Sequence, residues 1–315
     1  MFQVEDLRPG RVQVWVEVGG VTVAEVVEDI QVLAGMHWLF TPPTWQHGSE
    51  LSLEMLAAHV MPNAPEIADL LKDVSTRLEA ASGSPSLEGY QGGPERVDQI
   101  VGAVYAALQA REIRYAEPPA SWGVRGQKVR TPQEVLGDRI GTCLDLVVVM
   151  AACLEQSGIR PLLWVVEGHA FLGYWRVETA LDAIAQVDVN DVVNRLDLGQ
   201  MGLVETTSVT AGPTRTSFES ACRSPYETHL AADLGRVLGV VDVWTARHAA
   251  LFPLPARRRG TDGAIQVVEY RPAAHSAPPS SVLHESPGQA SSTAPRLPVP
   301  PRVSPGARQS RVLGP

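Results

Sequence analysis

Residues 139–158 have the sequence RIGTCLDLVVVMAACLEQSG and include the longest apolar run of the chain, Leu146 to Leu154. This run is about half the ~18–20 residues that a membrane span requires. Because it is apolar on nearly every side, it predicts a buried central helix rather than a surface helix. An irregular segment, 113–141, precedes it, so we expect the loop to turn into the helix at Cys143. Gly158 is expected to end the helix.

Apolar segments typical of buried strands follow this helix. PLLWVVEG at 161–168 and HAFLGYWRV at 169–177 predict two consecutive strands, and MGLVETTSV at 201–209 predicts a third. VDVNDVVNRLDL at 187–198 indicates a helix between them, and VVDVWTAR at 240–247 indicates a final strand. This order predicts an α+β fold in which an antiparallel sheet packs on the central helix.

Composition divides the chain into three regions. Residues 1–45 carry alternating β-branched runs around a GlyGly turn at 19–20, which predicts a small β-rich unit. Residues 46–256 contain three amphipathic helical patterns and then the central helix and strands. Residues 257–315 are rich in Pro, Ser and Arg, and ten of the last 44 residues are Pro. Such a composition predicts a largely disordered tail.

Charge is distributed unevenly along the chain. The net charge is −9, but residues 257–315 contain eight Arg and three acidic residues, so residues 1–256 carry −14. An acidic body argues against direct nucleic-acid binding by the globular part. The N-terminus lacks the apolar segment of a signal peptide, and we therefore expect a cytoplasmic protein that does not contact membranes.

The three cysteines are widely spaced and odd in number: Cys143, Cys153 and Cys222. They match neither a disulfide framework nor the paired spacing of a zinc site. No metal and no cofactor are therefore expected. Cys153, in the middle of the apolar helix, and Cys222 are interpreted as packing residues.

Cys143 is the cysteine whose position indicates chemistry. A thiol at the first turn of a helix lies beside unpaired backbone N–H groups, which favour a thiolate and can donate to an oxyanion. His169 is the first residue of the second strand after this helix and could reach the thiol as its base. A third group must orient the imidazole, and Glu205 and Asp188 are both candidates. Trp122, in the preceding loop, could line a substrate groove.

Three motifs resemble those of the transglutaminase-like superfamily: RIGTCLDL at 139–146, EGHAF at 167–171 and LVETT at 203–207. The resemblance implies a papain-type core with Cys143 as nucleophile, His169 as base and Glu205 as the third member. The usual acid there is Asp, and Glu205 follows His169 by 36 residues, so a helix at 187–198 would be an insertion between two strands. Asp188 remains the alternative. Gln127 is a candidate oxyanion donor in the manner of papain-like enzymes.

Residues 49–247 further resemble one bacterial branch, whose members carry this module N-terminal to a superfamily 1 helicase and nuclease. EGYQ at 88–91, PPASW at 118–122, GQKVRTP at 126–132 and AACLEQ at 151–156 carry that resemblance. It implies a thiol-dependent amide hydrolase, a cysteine protease or an acyl transferase, acting on a protein or peptide. No GxxxxGK[ST] loop occurs in this sequence, so two interpretations stay open: the chain acts alone, or a separately encoded helicase or nuclease is its partner. The alternative is a non-catalytic peptide-binding module of such an assembly, with a role in defence.

Overall fold

The computed structural model describes residues 8–40, 48–117, 126–259, 265–268 and 270, which all belong to one compact unit spanning residues 1–273. Their mixture of helices and an antiparallel sheet agrees with the predicted α+β class. The α-helices are α1 (Gly48–Leu56), α2 (Pro65–Ser82), α3 (Gly93–Gln109), α4 (Pro132–Asp138), α5 (Cys143–Gln156), α6 (Asn190–Asp197), α7 (Phe218–Pro225) and α8 (Val243–His248). None of the helices in these ranges is long and apolar enough to cross a membrane.

The central sheet has five antiparallel strands in the order β10-β8-β7-β11-β9. Its strands are β7 (Pro161–Val166), β8 (His169–Trp175), β9 (Ala185–Gln186), β10 (Met201–Val204) and β11 (Val237–Asp242). The remaining strands form two-stranded sheets: β1 (Arg8–Val18) with β2 (Val21–Val32), β3 (His37–Trp38) with β5 (Gln127–Lys128), β4 (Arg114–Tyr115) with β6 (Ile140–Gly141), and β12 (Ala256–Arg259) with β13 (Ile265–Val268).

Both faces of the central sheet are buried, which explains why β7 is apolar at every position. Leu163 and Val165 point into the core that the sheet forms with the helices α2, α3 and α5. Trp164 and Val166 point to the opposite face and pack in a second cluster with Val192 of α6. Successive side chains of a strand alternate between faces, so a sheet covered on both sides requires apolar residues throughout.

The helix α5 is the innermost element of the helical layer. Every residue from Cys143 to Leu154 is buried, as predicted for a helix that is apolar on all sides. It packs directly on β7 and β8, the two strands that follow it in sequence. The helices α2 and α3 cover its other side with the amphipathic faces that the sequence predicted.

The N-terminal strands β1 and β2 form a hairpin that turns at Gly19 and Gly20, both with positive φ. Almost every side chain of the hairpin is exposed. At the other end of the described chain, within the region expected to be largely disordered, β12 and β13 pair through residues 256–259 and 265–268.

The predicted strand at 240–247 is wrong in its second half. The strand β11 ends at Asp242, and residues 243–248 form the helix α8 instead. Asp242 caps this helix, accepting from the backbone N–H of Thr245 at 3.0 Å, and is buried with Trp175 Nε1 as a further donor at 3.1 Å. A buried carboxylate with several donors fixes the transition from strand to helix more strongly than the β-branched residues around it.

One buried histidine gives the fold a measurable pH dependence. His59 is 6% exposed, in the 3-10 turn after α1, and its Nδ1 has no hydrogen-bond partner among the described residues. Burial, with a smaller contribution from His37, lowers the pKa of His59 to about 4. The fold therefore favours the neutral ring. The stability that comes from a neutral His59 is fully present above the unfolded pKa of 6.5 and is lost as the pH falls to about 4.

We predict that the free energy of unfolding falls by about 3 kcal/mol between these two pH values because of His59 alone. Urea denaturation at a series of pH values gives the free energy of unfolding as a function of pH. The slope of this free energy against pH should be shallower for His59→Leu than for the wild type. The exposed His248 provides the matched control, since His248→Ala should keep the wild-type slope. Equal slopes in all three proteins would refute the assignment.

Candidate functional site

A capping box fixes the start of α5. The Thr142 side chain accepts from the backbone N–H of Asp145, and the Asp145 carboxylate accepts in turn from the backbone N–H of Thr142 at 2.8 Å. Asp145 is fully buried and also binds Arg130 through its backbone N–H (2.7 Å) and its guanidinium (2.8 Å). The buried carboxylate is thus satisfied on both oxygens, and the first residue of the helix has a defined position.

Cys143 is that first residue, and the residue is only 6% exposed. Gly141, two residues earlier, belongs to β6 and accepts a backbone hydrogen bond from Ala116 at 2.9 Å. The thiol therefore lies between a rigid helix and a short parallel strand pair. At this position it is next to the positive end of the helix dipole.

His169 is placed by the tight turn between β7 and β8. The turn consists of Glu167 and Gly168, and the positive φ of Gly168 (74°) is a conformation that glycine adopts without strain. His169 follows as the first residue of β8 and pairs with Val166, the last residue of β7. The imidazole interacts with the Cys143 thiol, which is one of the groups that raise its pKa.

Glu205 lies on the other side of the imidazole. His169 Nε2 and Glu205 Oε2 are 2.9 Å apart, and the carboxylate is 7% exposed as a residue. Glu205 follows β10, the antiparallel neighbour of β8, although 36 residues separate it from His169 in sequence. The intervening segment contains the helix α6 and the strand β9. The strands β8 and β10 are nevertheless neighbours in the sheet.

Thr207 holds the carboxylate of Glu205 in place. The backbone N–H of Thr207 donates to Glu205 Oε1 at 3.0 Å, and its hydroxyl donates to the same oxygen at 2.6 Å. The other oxygen, Oε2, is left to face His169. A carboxylate that is oriented in this way fixes the ring and its tautomer.

The charged groups of the site shift one another's pKa values. Burial alone lowers the pKa of His169, but the hydrogen bonds to Cys143 and Glu205 and their charges outweigh it and raise the pKa to about 10. Burial likewise raises the pKa of Glu205, whereas the hydrogen bond and charge of His169, with Thr207, lower it below its usual value. The arrangement therefore favours a protonated imidazole next to the ionised Glu205 carboxylate.

Two residues that the sequence analysis did not single out complete the surroundings. The hydroxyl of Tyr115, from β4, interacts with the thiol and the backbone of Cys143. Burial and the neighbouring Cys143 raise the pKa of Tyr115 to about 12, so the hydroxyl remains a donor near neutral pH. The parallel pairing of Tyr115 with Gly141 brings it there, and a two-residue strand leaves no periodic signal in a sequence.

The second of these residues is His229, in a π-helical turn at Tyr226–Leu230. Its ring stacks on His169 with centroids 5.1 Å apart and on Phe171 with centroids 5.6 Å apart. Burial and then the charge of His169 lower the pKa of His229. His169, Glu205 and His229 each offer one potential ligand atom, and these atoms lie within 4.8 Å of one another.

The other candidates from the sequence lie in different surroundings. Gln127 is buried, and its Nε2 donates to Thr142 Oγ1 at 3.1 Å, so its amide contacts the cap that positions Cys143. Asp188 is exposed and accepts from the backbone and side chain of Asn190. Trp122 lies outside the described residues. Cys153 is fully buried and Cys222 partly buried, and burial raises the pKa of each thiol to about 12.

Comparison with known proteins gives little further information. No protein-family model matches the sequence, and no curated protein matches it. A crystal structure of a candidate protease from Parabacteroides distasonis is similar at 12% identity and a TM-score of 0.26. The match covers 67% of this chain but 42% of that protein, so the chain corresponds to less than half of it. A likeness at this level carries no argument about function, which must come from the geometry.

The position of Tyr115 predicts that access to Cys143 depends on reagent size. Tyr115→Ala removes a ring and one hydrogen bond that hold the thiol covered. Because such a bond contributes about 1 kcal/mol, we expect a roughly fivefold increase in the rate with a bulky dye-maleimide. Iodoacetamide is small and should gain less. Mass spectrometry of the Cys143 peptide measures both rates, and Phe252→Ala, an exposed aromatic outside the site, is the control. Unchanged rates with both reagents would contradict a covering role.

Proposed function

We propose that this protein is a thiol-dependent amide hydrolase with a transglutaminase-like core, in which Cys143 is the nucleophile, His169 the acid–base and Glu205 the orienting acid. One observation carries the proposal. The His169 ring lies 2.9 Å from the buried Glu205 carboxylate and also interacts with the Cys143 thiol, which helps to raise its pKa. An ordinary packing cysteine has no need of either partner.

The first half of the reaction is acylation. The Cys143 thiolate attacks the carbonyl carbon of the substrate, a C–S bond forms, and the carbonyl electrons move to the oxygen. The backbone N–H of Cys143, at the head of α5, can donate to this oxyanion once the Tyr115 hydroxyl has moved aside. His169 then gives its proton to the leaving nitrogen as the C–N bond breaks, and a thioester remains on Cys143.

The second half releases the acyl group. His169, now neutral, takes a proton from a water molecule that attacks the thioester carbonyl, and the C–S bond breaks to return the thiolate. Glu205 stabilises the imidazolium each time it forms and keeps the ring in plane with the thiol. If a primary amine enters instead of water, the same steps make a new amide bond. The Gln127 amide, which uses one N–H on Thr142, has a second that could serve the oxyanion.

A protein or peptide is the proposed substrate, because a nucleophile at a helix start next to short exposed strands can accept an extended chain. Trp122, near Cys143 in sequence, is proposed to line the groove. In the same proposal the protein works in the cytoplasm, with a separately encoded helicase or nuclease as partner. These proposals rest on the sequence resemblance together with the geometry of Cys143.

The reactivity of Cys143 tests the proposal. Protonated His169 stabilises the thiolate, so alkylation by iodoacetamide at pH 6 should be at least about tenfold slower in His169→Ala than in the wild type. His248→Ala should leave the rate unchanged. Peptide mass spectrometry reports all three cysteines at once, and Cys222 is the internal control because its thiol should react slowly in every variant.

Turnover is tested separately with a mixture of peptides, in the presence and absence of a primary amine. We expect loss of product formation in Cys143→Ala and a decrease of about 100-fold or more in His169→Ala. The ratio of hydrolysed to amine-linked product identifies the acyl acceptor. If Cys143 reacts at the same rate with and without His169 and no peptide is turned over, the hydrolase proposal is wrong and the peptide-binding module takes its place.

A further inference from the structure

His229 has no part in the acyl-transfer mechanism, although it lies against its central residue. Its ring stacks at 26° to that of His169 and at 14° to that of Phe171, on the face of β8 that turns away from α5. Within the described ranges, no residue forms a hydrogen bond with the His229 ring nitrogens. A half-buried imidazole with free nitrogens, next to a second imidazole and a carboxylate, is a typical donor set for a transition metal.

We propose that His169, Glu205 and His229 form a binding site for Zn²⁺, and that the bound ion inhibits the enzyme. One ligand atom from each residue already lies within 4.8 Å of the others. Ligands of a tetrahedral zinc ion, at about 2.1 Å from the metal, lie roughly 3.4 Å apart. His229 therefore has to rotate out of its stack and approach, and the His169–Glu205 pair has to open slightly from 2.9 Å.

The orientation of the Glu205 carboxylate suits metal binding. Thr207 holds Glu205 Oε1 with two hydrogen bonds, so Oε2 is the oxygen presented to a metal. Partners of this kind orient ligands and increase metal affinity. Two imidazoles and one carboxylate leave one tetrahedral position for water. Zn²⁺ suits this mixed nitrogen and oxygen set, whereas Ca²⁺ and Mg²⁺ prefer oxygen ligands only.

Inhibition follows from the atoms that the metal occupies, and this part rests on the proposed function. Zn²⁺ takes the Nε2 position of His169 and releases one proton from the ring to solvent. The ring then keeps only its other N–H, which is a much weaker acid than the imidazolium because its loss would leave an imidazolate, so transfer of a proton to the leaving nitrogen is suppressed. Glu205 also no longer orients the ring. Cys143 remains in place but loses its acid–base partner.

Zn²⁺ binding itself is measured on the full chain without reference to activity, by competition with a chromophoric chelator. We expect one saturable site in the wild type. His229→Phe retains a ring for the stack but no ligand, and should weaken the affinity at least about tenfold. His229→Cys supplies another zinc ligand and should restore much of the loss. The exposed His248 is the matched control, and His248→Ala should bind as the wild type does.

Cys143→Ala distinguishes this site from an alternative site in which zinc binds Cys143 and His169. In the proposal, Cys143→Ala keeps the wild-type affinity. Loss of binding in Cys143→Ala with retention in His229→Phe would assign the ion to Cys143 and His169 and overturn the proposal, as would the absence of any saturable site. Because Cys143→Ala has no nucleophile, retained binding there supports the metal site whether or not the hydrolase proposal survives. An active enzyme that does not bind zinc would refute the metal site alone.

Discussion

The N-terminus of α5 is the constraint on which the rest of the structure depends. A helix that is buried on every side cannot leave its first N–H groups to water, so they need partners within the protein. The Thr142–Asp145 capping box supplies partners for the N–H groups of Thr142 and Asp145, and Arg130 donates in turn to the fully buried Asp145 carboxylate. This satisfies the helix start and, at the same time, gives Cys143 a single position relative to the strands that pack on α5.

The sheet brings the remaining groups to that point. His169 begins β8 and Glu205 follows β10, and the pairing of these two strands makes a contact between residues far apart in sequence. Each group then depends on its neighbour, because the raised pKa of His169 and the lowered pKa of Glu205 both result from one hydrogen-bonded row of side chains. Removing one member leaves a buried charge without a partner, which costs more than the contact alone.

The sequence predicted the buried helix, the strands β7 and β8 and the α+β class, because their apolar patterns are long and their turns contain glycine. It also singled out Cys143, His169 and Glu205, the residues that the structure brings together. The choice between Glu205 and Asp188 stayed open in the sequence because strand order is not visible there. The sequence did not indicate Tyr115 or His229. Tyr115 lies on a two-residue strand and His229 on a π-helical turn. Neither has a periodic signature, and only tertiary contacts place them.

The protonation state of His169 is the quantity that tests this account most directly. Nitrogen-15 NMR of histidine-labelled protein follows the ring through a pH titration, and a His169→Gln variant assigns its signals among the eight histidines. The account predicts that the ring remains protonated to about pH 9, near a pKa of about 10, and that Glu205→Gln lowers the pKa. A His169 that titrates near 6.5, and does so equally in Cys143→Ala and Glu205→Gln, would contradict it.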